Sequence, residues 1–378
     1  MPSSQRRGLI LASLTLALAA ALGPQAAQAH HAPFTSGKVF SATNTPNGNE
    51  LVVLGRQRDG ALALVDRLPT QGTGTGAGLG SQGAVALSGD GRRVLVVNAG
   101  SHTVSLFSLS GARPSLQSVV DSGGLTPVSV TEHDGLVYVL NAGGTGNVAG
   151  FRLTPAGLEP IAGSARPLSA AGGTAPAQVG FSSDGGTLLV TEKATNRLLS
   201  WRVDERSGLL SMPVVTPSAG LTPFGFAFDN RDRAIVSEAA GGAALASSAS
   251  SYRFGERAPS TPLLVSAAVP TLQTAACWVA VTPNGRYAYT GNAGSSSISL
   301  YQVGRRGELT LKAAAAGVTG PAGTGVTDLA ISRSAHSLYA LAPGAARVVA
   351  YDLAADGTLA GATPLDDLPR PLVGLAAN

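Results

Sequence analysis

The sequence predicts an all-β protein: a seven-bladed β-propeller of four-stranded antiparallel blades, its ring closed by the C-terminal strand pairing into the N-terminal blade. Three observations predict it. The phrase NAGSHTVSLFSL at residues 98–109 returns as NAGSSSISLYQV at residues 292–303. The wider unit around that phrase recurs six times at intervals of roughly 50 residues, the period of a four-stranded propeller blade. The composition suits strands and tight turns: 49 Gly and 23 Pro among 378 residues, with Val, Ser and Thr abundant and no long helical run after the first thirty positions.

Taken in chain order, residues 1–29 read as a signal peptide. Arg6 and Arg7 form a basic start, Leu9 to Leu22 an apolar stretch shorter than a membrane span, and Ala27-Gln28-Ala29 an A-x-A cleavage site, leaving residues 30–378 as one exported domain. SQRRGLIL also allows a twin-arginine signal. Residues 38–68 then supply a second, third and fourth strand (KVFSATN, NELVVLGR, LALVDRL) with no first strand before them.

Six complete units follow. Their first two strands are GAVALSGDGRRVLVVNAG, VSVTEHDGLVYVLNAG, AQVGFSSDGGTLLVTEKA, FGFAFDNRDRAIVSEAA, WVAVTPNGRYAYTGNAG and TDLAISRSAHSLYALAPG. SGDG, SSDGG and TPNG are hairpin turns, in which Gly and Asn supply the positive φ of a tight reversal. The C-terminal PLVGLAAN reads as a first strand with nothing after it, so it completes the N-terminal blade and removes the open edges of a linear stack.

Composition excludes some functions. Cleavage of the leader takes the formal charge from +4 to +2 with no Lys/Arg cluster, which gives no footprint for nucleic acid. The single cysteine, Cys277, forms no internal disulfide and sits in the apolar run AACWVAV as an inert thiol. No later stretch reads as membrane-spanning, and the chain is expected to be a monomer.

Propeller geometry sorts the polar residues. First-strand starts and second-strand ends share one rim of the ring, and the SGDG-type corners lie on the other face. The rim collects Asn44, Asn98, Asn141, Glu192, Glu238 and Asn292 from strand ends, Gln82, Gln178, Trp278 and Asp328 from first-strand starts, and His102 and Lys193 nearby. His133 and His336 fall at the opposite corners. Capping of the turn after the second strand explains the asparagines without a ligand. It explains Glu192 and Glu238 less well, and these two carboxylates from adjacent blades are expected to face the channel mouth as a catalytic pair. QGTGTGAGLGSQG at residues 71–83 lacks the Lys-Ser/Thr of a phosphate loop and reads either as a flexible connector or as backbone that approaches a ligand. GGAALASSASS at residues 241–251 reads as a lid or as a tolerated insertion. No zinc-ligand cluster stands out, so no cofactor is expected, although the carboxylate and amide oxygens of the rim would suit calcium or magnesium.

The unit, with its closing strand from the C-terminus, resembles the lactonase-like seven-bladed propellers, which include 6-phosphogluconolactonases and carboxymuconate-cyclising enzymes. LGSQGAVALSGDGRRVLVVNAGSHTVSLF, FGFAFDNRDRAIVSEAAGG and TAACWVAVTPNGRYAYTGNAG look most like an exported bacterial branch of that family. The resemblance implies a His on an inner strand, a Glu ending the next strand, and arginines at the mouth. Glu192 matches the acid, whereas Gln178 stands near the place of the His and Asn292 in the place of an arginine. Loss of arginine argues against a phosphorylated substrate. The function implied is hydrolysis of a small lactone: Glu192 or Glu238 activates water, its partner protonates the leaving oxygen, and Asn98, Asn141, Asn292 and Gln178 steady the oxyanion, with Trp278, Asp328, His102 and Lys193 at the substrate. The alternative is a non-catalytic propeller that binds a lactone, a sugar acid or a protein partner on the same face.

Overall fold

The computed structural model of the protein describes residues 1–2, 34–58, 60–255 and 261–378. The predicted leader and its cleavage site lie outside these residues. Among the described residues, no helix is long and apolar enough to cross a membrane.

The described chain forms seven separate antiparallel sheets. Blade 1 holds β1 (Phe34–Ala42), β2 (Glu50–Gln57) and β3 (Leu62–Pro69); blade 2 holds β4 (Val85–Leu87), β5 (Arg93–Asn98), β6 (Thr103–Ser108) and β7 (Ser115–Asp121). Blade 3 runs β8 (Pro127–His133), β9 (Leu136–Asn141) and β10 (Asn147–Thr154), with its outer position shared by β11 (Gly157–Pro160) and β12 (Arg166–Pro167). Blade 4 is β13 (Pro176–Phe181), β14 (Thr187–Glu192), β15 (Arg197–Arg202) and β16 (Val214–Pro217). Blade 5 is β17 (Pro223–Phe228), β18 (Arg233–Glu238), β19 (Ser248–Arg253) and β20 (Leu263–Pro270). Blade 6 is β21 (Ala276–Val281), β22 (Tyr287–Asn292), β23 (Ser297–Val303) and β24 (Leu309–Val318). Blade 7 is β25 (Asp328–Ile331), β26 (Ser337–Ala342), β27 (Arg347–Leu353) and β28 (Leu359–Leu365), and the chain ends in β29 (Val373–Ala377).

The predicted closure is present. Strand β29 is the innermost strand of blade 1, antiparallel to β1, with Val39 opposite Ala377 and Ala42 opposite Val373. The Ser41 hydroxyl donates to the Gly374 carbonyl at 2.8 Å, and the Lys38 amide donates to Asn378 Oδ1 at 2.6 Å. The second strands, β5, β9, β14, β18, β22 and β26, are the most deeply buried because each packs against neighbours on both faces of its blade, which is why they read as continuous apolar runs.

The corners form as the turn residues predict. In blade 2 the Ser88 hydroxyl donates to Asp90 Oδ1 at 2.6 Å, Asp90 Oδ1 accepts the Arg92 amide at 2.9 Å, and Ser88 Oγ accepts the Arg93 amide at 3.0 Å. Blades 4 and 6 repeat this arrangement at Ser182/Asp184 and Thr282/Asn284. The glycine of each of these turns, Gly91, Gly185 and Gly285, holds a positive φ of 65° to 74°.

Candidate functional site

Glu192 and Glu238 occupy equivalent positions, as the repeat requires. Each ends the second strand of its blade and lies opposite the first residue of the inner strand: Pro176 for Glu192 and Pro223 for Glu238. Asn141 and Asn292 stand in the same register, opposite Pro127 and Ala276.

The side chains do not face the channel mouth. Both glutamates have no exposed surface. Glu238 accepts from Ser248 and Ser250, each at 2.5 Å, and from the Gly220 amide at 2.9 Å. Glu192 accepts from the Ser169 amide at 2.9 Å, from Thr195 at 2.5 Å and from the Ser169 hydroxyl. Burial pushes the Glu238 carboxyl above its ordinary range, against the pull of those donors.

The physical reason lies one strand further on. Asn292 donates to Ser297 and Ser299 of the adjacent strand, and Asn98 donates to Thr103 and Ser105. Glu238 uses the corresponding pair, Ser248 and Ser250. At Asn98, Asn141 and Glu238 the residue that ends the second strand therefore turns sideways into its own blade and pins the third strand to the loop arriving from the preceding blade, whereas Glu192 holds that loop at Ser169 without a third-strand partner. That loop presents a glycine to Asn98, Asn141 and Glu238 (Gly72, Gly124 and Gly220), where a Cβ would overlap the buried side chain. The Ser-x-Ser spacing on the third strand was the sequence signal for this role.

The glycine-rich stretch is no loose connector. It crosses the channel and is fastened on the far side. Gln82 forms a two-point contact with Val279 of β21, donating from Nε2 to its carbonyl at 2.8 Å and accepting from its amide at 3.0 Å. The Gln82 amide donates to Ala177 O at 3.0 Å, Ser81 Oγ to Val128 O at 2.8 Å, and the Trp278 indole to Ser81 O at 3.0 Å. Lys193 Nζ donates to Gly80 O and lies 4.7 Å from the centroid of the Phe224 ring. Burial lowers the pKa of Lys193 and drives the neighbouring Cys277 thiol up to about 12.

Among the described residues a cavity lies on each side of this strap. The one on the loop face has a volume of about 370 Å³ and is walled by Leu79, Trp278, Pro343, Pro371, Leu372 and the backbone of residues 78–81. The other, of about 290 Å³, lies beneath the strap among the later residues of the inner strands, with Gln82, Gln178, Asp328 and Thr131 as its polar members. The rim residues expected to act together are thus separated: Trp278 above the strap, Gln178 and Asp328 below it, and the strand-end Asn and Glu side chains inside their blades.

Gln178 spends its amide on the next blade, donating to Phe226 O at 3.0 Å and accepting from Phe226 N at 2.7 Å. Asp328 accepts from the Leu329 amide at 2.8 Å and from Leu375 of the closing strand at 3.0 Å. His102 Nδ1 accepts the Thr126 amide at 3.0 Å and so serves its loop. Residues 248–251, expected in a lid or insertion, belong to β19, and only the preceding stretch, which includes a short 3₁₀ turn at Ala240–Gly242, is loop. Among the described residues, no three His, Cys, Asp or Glu side chains gather as a metal site. The pocket walls at Leu79, Pro371 and Leu372 were not singled out in the sequence, because apolar loop residues carry no chemical signature there.

No protein-family model matches the chain, and no curated protein matches it. Solved structures do. The periplasmic gluconolactonase of Pseudomonas aeruginosa superposes with a TM-score of 0.68 at 14% identity, covering 90% of this chain and 98% of that one. A candidate 6-phosphogluconolactonase from Bacteroides uniformis gives 0.67 at 16% identity, covering 90% and 99%. A protein from Lactobacillus plantarum gives 0.70 at 15% identity, covering 90% and 99%. At these identities the likeness is one of fold, and that fold is the seven-bladed β-propeller.

Proposed function

We propose that this protein binds a small uncharged ring, of the lactone or sugar-derived class, in the loop-face pocket. The observation that carries the reading is the lining of that cavity: about 370 Å³, with an indole, a leucine pair and two prolines around glycine backbone, and no ionisable side chain among its described lining residues. Concave, mainly apolar pockets with a few polar backbone groups are the usual form of small-ligand sites. Trp278 has committed its N–H to Ser81 and packs its ring on Phe224 at 5.0 Å between centroids, so what it offers the pocket is the remaining apolar edge of the indole. A phosphate or carboxylate would find no counter-charge among the described lining residues, and the ammonium of Lys193 next to them is bonded to Gly80 O.

Two tryptophans are present, and Trp201 is buried in blade 4, so a Trp201→Phe variant leaves Trp278 as the sole indole reporter. Titration with neutral aldonolactones should change its emission saturably, and the open aldonates should bind at least tenfold more weakly. Equal binding of both forms, or no change with either, would overturn the reading.

Lactone opening is the second reading, favoured by the fold shared with a gluconolactonase. It needs a group that takes a proton from water. Glu192 and Glu238 would each have to leave a fully bonded, buried site to do so. Hydrolysis assays on wild type, Glu192→Gln and Glu238→Gln separate the readings: turnover lost in a variant that melts like wild type supports hydrolysis at that residue, and a ligand-responsive protein without turnover supports binding.

A further inference from the structure

The chamber beneath the strap has a chemistry of its own. Its described lining holds one ionisable side chain, Asp328, and no Lys, Arg or His. Phe181, Phe226 and Phe228 form one side, with Phe226 and Phe228 edge to face at 5.8 Å between ring centroids. The chamber lies at the end of the inner strands, since Phe181 ends β13 and Phe228 ends β17, so it belongs to the face of the tight corners, opposite the loop-face pocket.

Asp328 is 1% exposed and has no cationic partner among the described residues. Its carboxyl accepts from the backbone amides of Leu329 and Leu375, and from that of Gly83. The elements packed against β25 offer no positive charge: β26 carries Tyr339, β21 carries Cys277, and β29 and strap residues 78–83 carry no ionisable side chain. Burial alone drives the carboxyl up to about 8, with the backbone amides opposing.

A buried carboxyl without a counter-ion, beside aromatic rings in a cavity, is a setting that favours a cation. The lone pairs of Asp328 are largely taken by N–H donors, which makes it a poor inner ligand for a metal ion that must be wrapped in oxygens. An organic ammonium needs no such wrapping, because its charge is spread over methyl or methylene groups that pack on aromatic faces.

We propose that the chamber beneath the strap is a binding site for a small organic ammonium ion, with ionised Asp328 as its counter-charge and Phe226 and Phe228 as its packing surface. The site is separate from the loop-face pocket and stands whether or not that pocket binds a lactone.

Choline and its uncharged isostere 3,3-dimethylbutan-1-ol test this by calorimetric titration of the full chain at pH 6 and pH 9, with calcium and potassium chloride as inorganic controls. The expected result is choline binding at least fivefold tighter at pH 9 than at pH 6, much weaker binding of the alcohol with no pH dependence, and loss of the pH dependence in Asp328→Asn. Phe228→Leu, which removes a half-buried ring and leaves the carboxyl in place, should weaken choline at both pH values and keeps the test available if Asp328→Asn does not fold. Equal binding of choline and the alcohol, no choline binding at pH 9, tighter binding of the inorganic cations, or wild-type binding by Phe228→Leu would each overturn the proposal.

Discussion

The side-chain amide of Gln82 is bonded twice to the backbone of Val279 on the far side of the channel, at 2.8 and 3.0 Å. The two residues belong to blades 2 and 6, so a side chain from one part of the ring holds a strand on the other. Gly225 makes the contact feasible, because a Cβ there would collide with Gln82 Oε1 and with the Cys277 carbonyl. Gln82→Ala should cost roughly 1–3 kcal/mol, since it leaves both backbone groups of Val279 without these buried partners. Gly225→Ala should cost a similar amount, about 1–3 kcal/mol, through overpacking. Urea unfolding measures both, and a loss below the resolution of the method in both variants would show that the strap is not held by this contact.

Glu238 is expected to act as a structural pin. Glu238→Ala removes the acceptor for Ser248, Ser250 and Gly220 and should destabilise by about 2–4 kcal/mol. Glu238→Gln keeps one oxygen for the Gly220 amide and offers an N–H that serine oxygens can accept, so it should cost less than about 1 kcal/mol. The ratio of the two losses is the measurement. Equal losses would mean that the charge itself holds the site.

Asp328 sets a pH dependence of stability. Its folded pKa, about 8, lies above that of an unfolded aspartate. Below the unfolded value both states are protonated and the contribution is fully present. As pH rises toward 8 the unfolded chain releases its proton while the folded chain retains it, so stability falls, and above 8 it levels off. Asp328→Asn should melt below wild type at pH 5, because an amide cannot accept from the Leu375 and Gly83 donors as the carboxyl does, and the gap should narrow by pH 8. A gap that stays constant from pH 5 to pH 8 would contradict the raised pKa.

Ring closure gives a fourth expectation. Deleting residues 371–378 removes β29 and with it the inner strand of blade 1, the Ser41 contact and the Leu375 donor to Asp328. The single cooperative thermal transition should be lost. An unchanged melt would show that blade 1 does not need its inner strand.

The sequence carried the fold because each blade is a local object. A hairpin turn such as Ser88–Arg93 is specified by the residues within it, and the apolar run of each second strand by burial on both faces. Six repeats of one pattern, with a headless unit at one end and a spare strand at the other, leave one closed arrangement. The candidate site was less legible. Repeat position places Glu192, Glu238 and Asn292 in one register, but it does not say whether a strand-end side chain turns toward the channel or into the blade.

The ring was legible residue by residue: seven blades, their strand order, the corners and the closure by residues 373–377. Which polar groups reach the axis was settled by folding. That depends on neighbours brought up by the fold: Gly220 of the incoming loop beside Glu238, Val279 opposite Gln82, Leu375 beside Asp328. Hydrogen-bonding groups that are buried must find partners, and for Gln82 and Asp328 those partners come from other blades, where no local pattern announces them.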